Sequence, residues 1–166
     1  VLCPLDIIQK LIEAYPGALT MKSTINGWTP LHYACAAREE SSSLISHLIQ
    51  SSPEALLMID ESGCAPLHLA LVSGHCKIDA ACICLISRLC PQALSIPDRH
   101  GDLPLHLACD SLYFEGNHWS VDIFAALING YREATTIIPN ILSPRHLIEF
   151  GEHPEREEIL RIFDSA

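Results

Sequence analysis

One short phrase, a proline followed by leucine and histidine, recurs along the chain and constrains its fold more than any other feature. Three strong copies read GWTPLHYAC from Gly27, GCAPLHLA from Gly63 and GDLPLHLAC from Gly101, and a degenerate fourth begins at Ser143. The prolines, at positions 30, 66, 104 and 144, are 36, 38 and 40 residues apart. A catalytic histidine has no reason to recur at regular intervals, whereas a fixed period in this range indicates a solenoid of stacked repeats.

A second phrase alternates with the first. It reads LIEAYPGAL from Leu11, LIQSSPEAL from Leu48, ISRLCPQAL from Ile86 and LINGYREAT from Leu127. The distance from its proline, or from Arg132 in the last copy, to the next PLH proline is 14, 13, 13 and 12 residues. The connector between the two phrases is therefore a structural unit of nearly fixed length.

The residues of each PLH phrase predict a short first helix. Thr29 is a favourable N-cap, and Pro30 suits the first helical position, where its missing N–H costs nothing. Apolar residues at helical spacing predict a second helix in each unit, with Asp79 and Ser120 near two of the starts. The second phrase ends that helix. The connectors 60–63 and 98–101 predict tight turns.

The phrase G-x-T-P-L-H-x-A, followed by a helix pair and a turn, resembles the ankyrin repeat, and Gly74-His75 supplies the pair that this family carries after its first helix. The resemblance spans nearly the whole chain and implies an all-α, ankyrin-type helix-pair solenoid with turn or hairpin connectors. The family period is about 33 residues. The present repeats therefore carry extra residues, mostly in segments 38–43 and 111–119 between the two helices of a unit.

We expect a single ankyrin repeat array over residues 1–166. Its predicted units are a partial N-terminal repeat at 1–26, full repeats at 27–62, 63–100 and 101–140, and a C-terminal capping repeat at 141–166. The fourth copy has lost its glycine and has Arg145 where leucine is expected, which suits a capping unit because its outer face meets water. We expect a monomer or, since Val1 stands in place of a starting methionine, part of a longer chain.

The resemblance also implies a role for the recurring histidine. In the family it hydrogen-bonds backbone near the turn and ties neighbouring repeats together. We therefore assign a structural role to the prolines and histidines of the three strong copies, which are Pro30, His32, Pro66, His68, Pro104 and His106, and no catalytic residue.

Charge and composition restrict the partners. The 166 residues include ten Lys and Arg against twenty Asp and Glu, a net charge of −10. This acidity repels phosphate backbones and anionic lipids, so we expect no nucleic acid and no membrane partner. Several of the eight cysteines lie in apolar runs, where a free thiol behaves as a small hydrophobe. We expect a reducing, intracellular location, in cytoplasm or nucleus.

No sequence motif indicates catalysis. A G-x-S-x-G elbow, a glycine-rich phosphate loop and an H-E-x-x-H motif are all absent, so we expect no enzyme and no cofactor. The cysteines at Cys76, Cys82, Cys84 and Cys90 suggest an alternative, a metal or thiol-redox sensor. Successive helical residues turn by about 100°, so Cys82 and Cys84 point apart and cannot chelate one ion. We therefore predict no metal site.

What remains is a surface for binding. In an ankyrin array the turn tips and the exposed side of each first helix line a groove, so we interpret the chain as a non-catalytic protein–protein interaction scaffold. The acidic charge favours a partner with a basic or neutral segment, and another alternative is a targeting module of a larger enzyme. A second candidate surface is the 111–119 insertion. The matching groove positions are Trp28, Ala36, Ala37, Ser62, Cys64, Val72, Ser73, Arg99, His100, Asp102, Asp110 and Ser111.

Overall fold

The computed structural model describes residues 5–37, 42–72, 78–114, 119–136, 143–150 and 154–165. These residues form nine α-helices and four 3₁₀ segments, and none of them forms a strand. The helices are α1 (Leu5–Ala14), α2 (Pro30–Ala36), α3 (Ser42–Ser51), α4 (Pro66–Val72), α5 (Ala80–Leu89), α6 (Pro104–Phe114), α7 (Val121–Gly130), α8 (Pro144–Phe150) and α9 (Arg156–Ser165). The 3₁₀ segments are Pro16–Thr20, Pro53–Leu57, Pro91–Ser95 and Arg132–Thr135.

The helices stack in two layers. The first helices α2, α4, α6 and α8 pack side by side in one layer, and the second helices α3, α5, α7 and α9 form the other. The core lies between the layers, where Leu67, Leu71, Ile83, Ile86 and Phe124 are almost completely buried. This arrangement confirms the predicted all-α helix-pair solenoid.

The predicted helix limits are confirmed for most units. Each PLH proline begins a first helix, and each second helix ends at the second phrase, whose proline starts a 3₁₀ segment. Asp79 lies at the start of α5 as expected, and it caps the helix, because its carboxylate accepts a hydrogen bond of 2.8 Å from the backbone N–H of Cys82. Ser120 stands at the N-cap of α7 but its side chain makes no capping bond.

The 111–119 insertion differs from a simple loop. Helix α6 continues to Phe114 and is 11 residues long, whereas α2 and α4 each have 7. Trp119 is buried in the core, so this residue does not belong to the second binding surface that the insertion suggested. Residues 115–118 and the side chains of 111–114 lie outside the described part of the chain.

The two central connectors fold as closed turns, as predicted. The backbone N–H of Asp60 donates to the carbonyl of Cys64 at 2.8 Å, and that of Asp98 donates to Asp102 at 2.9 Å. Gly63 has a φ of 79°, a left-handed conformation that glycine adopts without strain. A Cβ at this glycine would lie 3.3 Å from the Cβ of Arg99, so neighbouring turns stack closely.

The recurring histidines connect one repeat to the next. His32 places Nε2 3.2 Å from the carbonyl oxygen of Cys64, and His68 places Nε2 3.0 Å from that of Ile96. Since a carbonyl only accepts, Nε2 carries the hydrogen and Nδ1 is the acceptor. Nδ1 accordingly accepts the backbone N–H of Thr29 at 3.1 Å in one copy and of Ala65 at 3.0 Å in the other. One neutral ring therefore caps its own helix and holds the next repeat.

Acidification is expected to weaken the fold through these two rings. Burial lowers the pKa of His32 and of His68 below the ordinary 6.5. At a pH between those lowered pKa values and 6.5, the unfolded chain binds more protons than the folded one. The stabilisation that the two neutral rings provide is therefore lost as the pH falls below 6.5.

Urea titrations at about pH 7.5 and about pH 5.5 measure this loss of unfolding free energy. A His32→Gln/His68→Gln variant should lose less stability over that interval than the parent protein. An equal loss in both proteins would show that other groups are responsible.

The C-terminal helices α8 and α9 are joined by a narrow apolar stripe and by one exposed ion pair. Arg145 of α8 pairs with Glu149, at 2.8 Å, and with Asp164 of α9. Ile159 and Phe163 bury one side of α9, while most of its other side chains are exposed. This is the arrangement that a capping unit needs, although the predicted boundaries between the units of 1–166 stay a prediction.

Candidate partner-binding surface

The turn tips and the outward sides of α2, α4 and α6 lie next to each other and form what we call the binding face. Of the residues predicted for it, Ser62, Val72, Arg99 and His100 are exposed, and Trp28, Ala36, Ala37, Cys64, Asp102 and Asp110 are half-buried. Ser73 lies outside the described residues, and Ser111 belongs to α6 with its side chain outside them. The described members therefore share one side of the molecule, because equivalent positions of successive repeats are neighbours.

Trp28 both packs on the neighbouring turn and remains accessible. Its indole Nε1–H donates a hydrogen bond of 2.9 Å to Oδ2 of Asp60 in the next connector. Its ring meets that of Tyr33 edge-to-face, with centroids 5.0 Å apart and planes at 70°. Aromatic pairs prefer this geometry, which orders both rings in the absence of a partner.

Two exposed residues of this face were not among those predicted from the sequence. Tyr33 is 48% exposed and Ile25 is 85% exposed. Tyr33 directly follows the recurring histidine of its repeat. The other copies have Leu69 and Leu107 at this position, and both of these are half-buried. A comparison of the three copies at this position would have singled out Tyr33, because the other two copies have leucine.

Carboxylates dominate the charge of the binding face. Asp60 is buried and accepts hydrogen bonds at Oδ1 from the backbone N–H groups of Ser62 and Cys64, both at 2.8 Å. Burial, and then the nearby charge of Asp102, raise the pKa of Asp110. Asp102, just before α6, and Asp110, within it, thus lie close together, one repeat beyond α4, whereas Trp28 and Tyr33 lie at the start of α2.

The acidic residues that organise the turns are expected to differ in importance. Asp98 repeats the role of Asp60, accepting the backbone N–H groups of His100 and Asp102, but it receives no indole bond. Asp98→Ala should lower the unfolding free energy by about 1–2 kcal/mol and Asp60→Ala by about 2–3 kcal/mol. Chemical denaturation measures both values.

A double-mutant cycle isolates the indole bond. Trp28→Phe keeps an aromatic ring but removes the donor, so Asp60→Ala and Trp28→Phe should be coupled by about 1 kcal/mol. Additive effects would mean that the Trp28–Asp60 bond contributes nothing to stability.

The cysteines of α5 point to opposite sides, as their spacing predicts. Cys82 is buried beside Ser46, with Sγ and Oγ 3.1 Å apart, whereas Cys84 is exposed. Burial raises the pKa of Cys82, Cys90 and Cys109, which keeps these thiols protonated and unreactive. No group of three or more potential metal ligands occurs among the residues that the structure describes, and Cys76 lies outside them.

Alkylation is expected to separate these thiols by rate. Cys84 should react with a maleimide well before Cys35, Cys82 and Cys109, because only its sulfur is exposed among these four. Mass spectrometry of digested protein, sampled over time, measures each site, and a Cys84→Ser variant identifies its peptide. Equally fast labelling of Cys82 would mean that α3 and α5 separate readily in solution.

Two layers of paired helices and stacked turns define the class of helical repeat proteins. Within that class, the family of ankyrin repeats (3 copies) matches residues 3–83. The chain therefore contains ankyrin repeats, and the resemblance noted in the sequence is confirmed. Ankyrin repeats generally mediate protein–protein interaction and are typically non-catalytic.

Two curated proteins share part of this sequence. Human SMC5-SMC6 complex localization factor protein 1 is 35% identical over 78 residues, which is 46% of this chain and 7% of that protein. The Bos taurus protein of the same name is 35% identical over 68 residues, 41% of this chain and 6% of that protein. The chain thus matches only a small part of these relatives. Among the described residues no helix is long and apolar enough to cross a membrane.

Proposed function

We propose that this chain is a non-catalytic scaffold that binds a protein partner through its binding face. The observation that carries the proposal is the ordered aromatic pair of Trp28 and Tyr33, half-exposed beside the turn of Asp60. Tyrosine and tryptophan supply large contact area at low cost in conformational entropy, and both are enriched among residues that dominate binding energy. Val72 and Ile25 are further exposed apolar side chains of the turns and first helices.

The charge of the face supports a partner with a basic segment. Glu61, Asp102 and Asp110 lie along the turns and first helices, and the chain as a whole carries a charge of −10. Arg99 is the positively charged residue of the turn 98–101, and its Nε–H donates a hydrogen bond of 3.1 Å to Nε2 of His100. A basic segment would associate faster and more tightly at low salt, since complementary charge mainly raises the rate of encounter.

The relatives support an intracellular setting. Their name describes proteins that act in localising a complex. We propose that the present chain likewise acts inside the cell, in cytoplasm or nucleus, by holding one protein partner.

The test is capture from a native lysate with a matched pair of variants. The face variant carries Tyr33→Ala, Arg99→Glu and Asp102→Lys. The control carries Leu57→Ala, Glu158→Lys and Arg161→Glu, at exposed positions outside the binding face. Both variants remove one large side chain and exchange one acidic and one basic residue, so neither changes the net charge. Tyr33 is chosen over Trp28 because Trp28 also binds Asp60.

A protein captured by the parent and the control, lost with the face variant and eluted at high salt would support the proposal. Circular dichroism must show that all three proteins retain their helices. Capture of the same protein by the face variant would refute the role of the binding face. Elution that does not depend on salt would refute the basic character of the partner.

A further inference from the structure

A groove on the other side of the molecule is not used by the binding face. It lies between α5 and α7, has a volume of about 550 Å³ and is lined by these two second helices alone. We call it the outer groove. It opens away from the first-helix layer, since no residue of α4 or α6 contributes to it.

The outer groove arises from small side chains and not from a gap between the helices. Ala81 on α5 and Ala125, Ala126 and Gly130 on α7 line it. A Cβ at Gly130 would collide with the side chains of Ser87 on α5 and of Leu94 in the following 3₁₀ segment, so the end of α7 packs tightly against this repeat. The result is a shallow apolar trough with close-packed walls.

The groove has oppositely charged ends. Asp122 lies in the first turn of α7 and Arg88 in the last turn of α5. The second phrase aligns Arg88 with Asn129, seven residues beyond Asp122. As second helices of successive repeats, α5 and α7 run in the same direction, so these charges lie about 10 Å apart along the groove. Among the described residues neither of them forms an ion pair.

One wall also holds an unsatisfied polar group. The hydroxyl oxygen of Ser87 is buried and has no hydrogen-bond partner. Such a group is costly to leave unpaired. It lies on the α5 wall between Cys84 and Arg88, where the exposed thiol and the guanidinium also face the groove.

We propose that the outer groove binds one α-helix of a partner protein, antiparallel to α5 and α7. The partner helix presents an aliphatic ridge to the alanines, an acidic residue to Arg88 and, seven residues later, a basic residue to Asp122. A helix favours acidic residues in its first turn and basic residues in its last turn, so this order of charges suits an antiparallel helix. Binding of an amphipathic helix in an apolar groove is a common mode of recognition.

The test uses two fluorescent helical peptides with the same alanine and leucine face. The forward peptide carries Glu followed by Lys seven residues later, and the reversed peptide carries Lys followed by Glu. Fluorescence polarisation should show about fivefold tighter binding of the forward peptide at low ionic strength, because two exposed ion pairs change together. An Arg88→Glu/Asp122→Lys variant should prefer the reversed peptide by a similar factor.

Two further variants locate the peptide. Ala125→Phe fills the trough and should weaken both peptides by about tenfold or more, while Arg99→Glu/Asp102→Lys on the binding face should leave the preference unchanged. Loss of preference in the binding-face variant would place the peptide there and refute the outer groove. The inference also fails if neither peptide binds, if both bind equally, or if the charge swap does not invert the preference.

Discussion

His68→Ala is expected to lower the free energy of unfolding by about 3–5 kcal/mol, one of the largest effects of any single substitution in this chain. The ring of His68 is completely buried. Its removal leaves the backbone N–H of Ala65 and the carbonyl of Ile96 without their partner, and it opens a cavity at the junction of two repeats. Both costs act together because the ring is buried and makes both hydrogen bonds.

Urea denaturation followed by circular dichroism measures this loss. His100→Ala is the control, since His100 is exposed on a turn, and it should change stability by less than about 0.5 kcal/mol. If the two variants are equally stable, the histidine does not hold the repeats together and its recurrence needs another explanation.

Phe124→Ala should cost a similar amount, about 3–5 kcal/mol. Phe124 is the largest fully buried side chain of α7, and α7 packs between α5 and α9. In a repeat array each unit contacts only its neighbours, so a weakened α7 should uncouple the C-terminal helices from the N-terminal ones. Ile25→Ala, at a side chain that is 85% exposed, is the matched control.

Hydrogen exchange distinguishes local from global weakening. In the Phe124→Ala variant, amides of α7 to α9 should exchange faster than those of α2 to α4, and unfolding should become less cooperative. A uniform rise in exchange over the whole array would contradict the nearest-neighbour description.

The sequence predicts the helices well because their limits are encoded locally. Pro30, Pro66 and Pro104 each begin a helix on their own, through a fixed φ and a missing donor. The turns follow in the same way from Asp60 and Asp98, whose carboxylates organise the next few N–H groups. None of these features requires a distant residue.

What the sequence could not predict depends on neighbours from other repeats. The bond from Trp28 to Asp60 joins residues 32 positions apart, and Trp119 looks like a surface residue until the core around it is known. The outer groove is lined jointly by small residues of two successive repeats, such as Ala81 and Ala126, which no single repeat reveals. The predicted binding residues stay predictions, since exposure alone does not identify a partner.

The position of the histidine acceptors sets rules for dividing this chain into fragments. His32 needs the carbonyl of Cys64, which lies just beyond the following turn, and His68 needs that of Ile96. A fragment cut at the end of a second helix therefore removes a bond from the repeat that it was meant to preserve. Cuts made a few residues after the next connector keep every retained histidine ring bonded to its carbonyl acceptor. The ends of fragments that fold on their own should therefore be chosen from these hydrogen bonds and not from the sequence period.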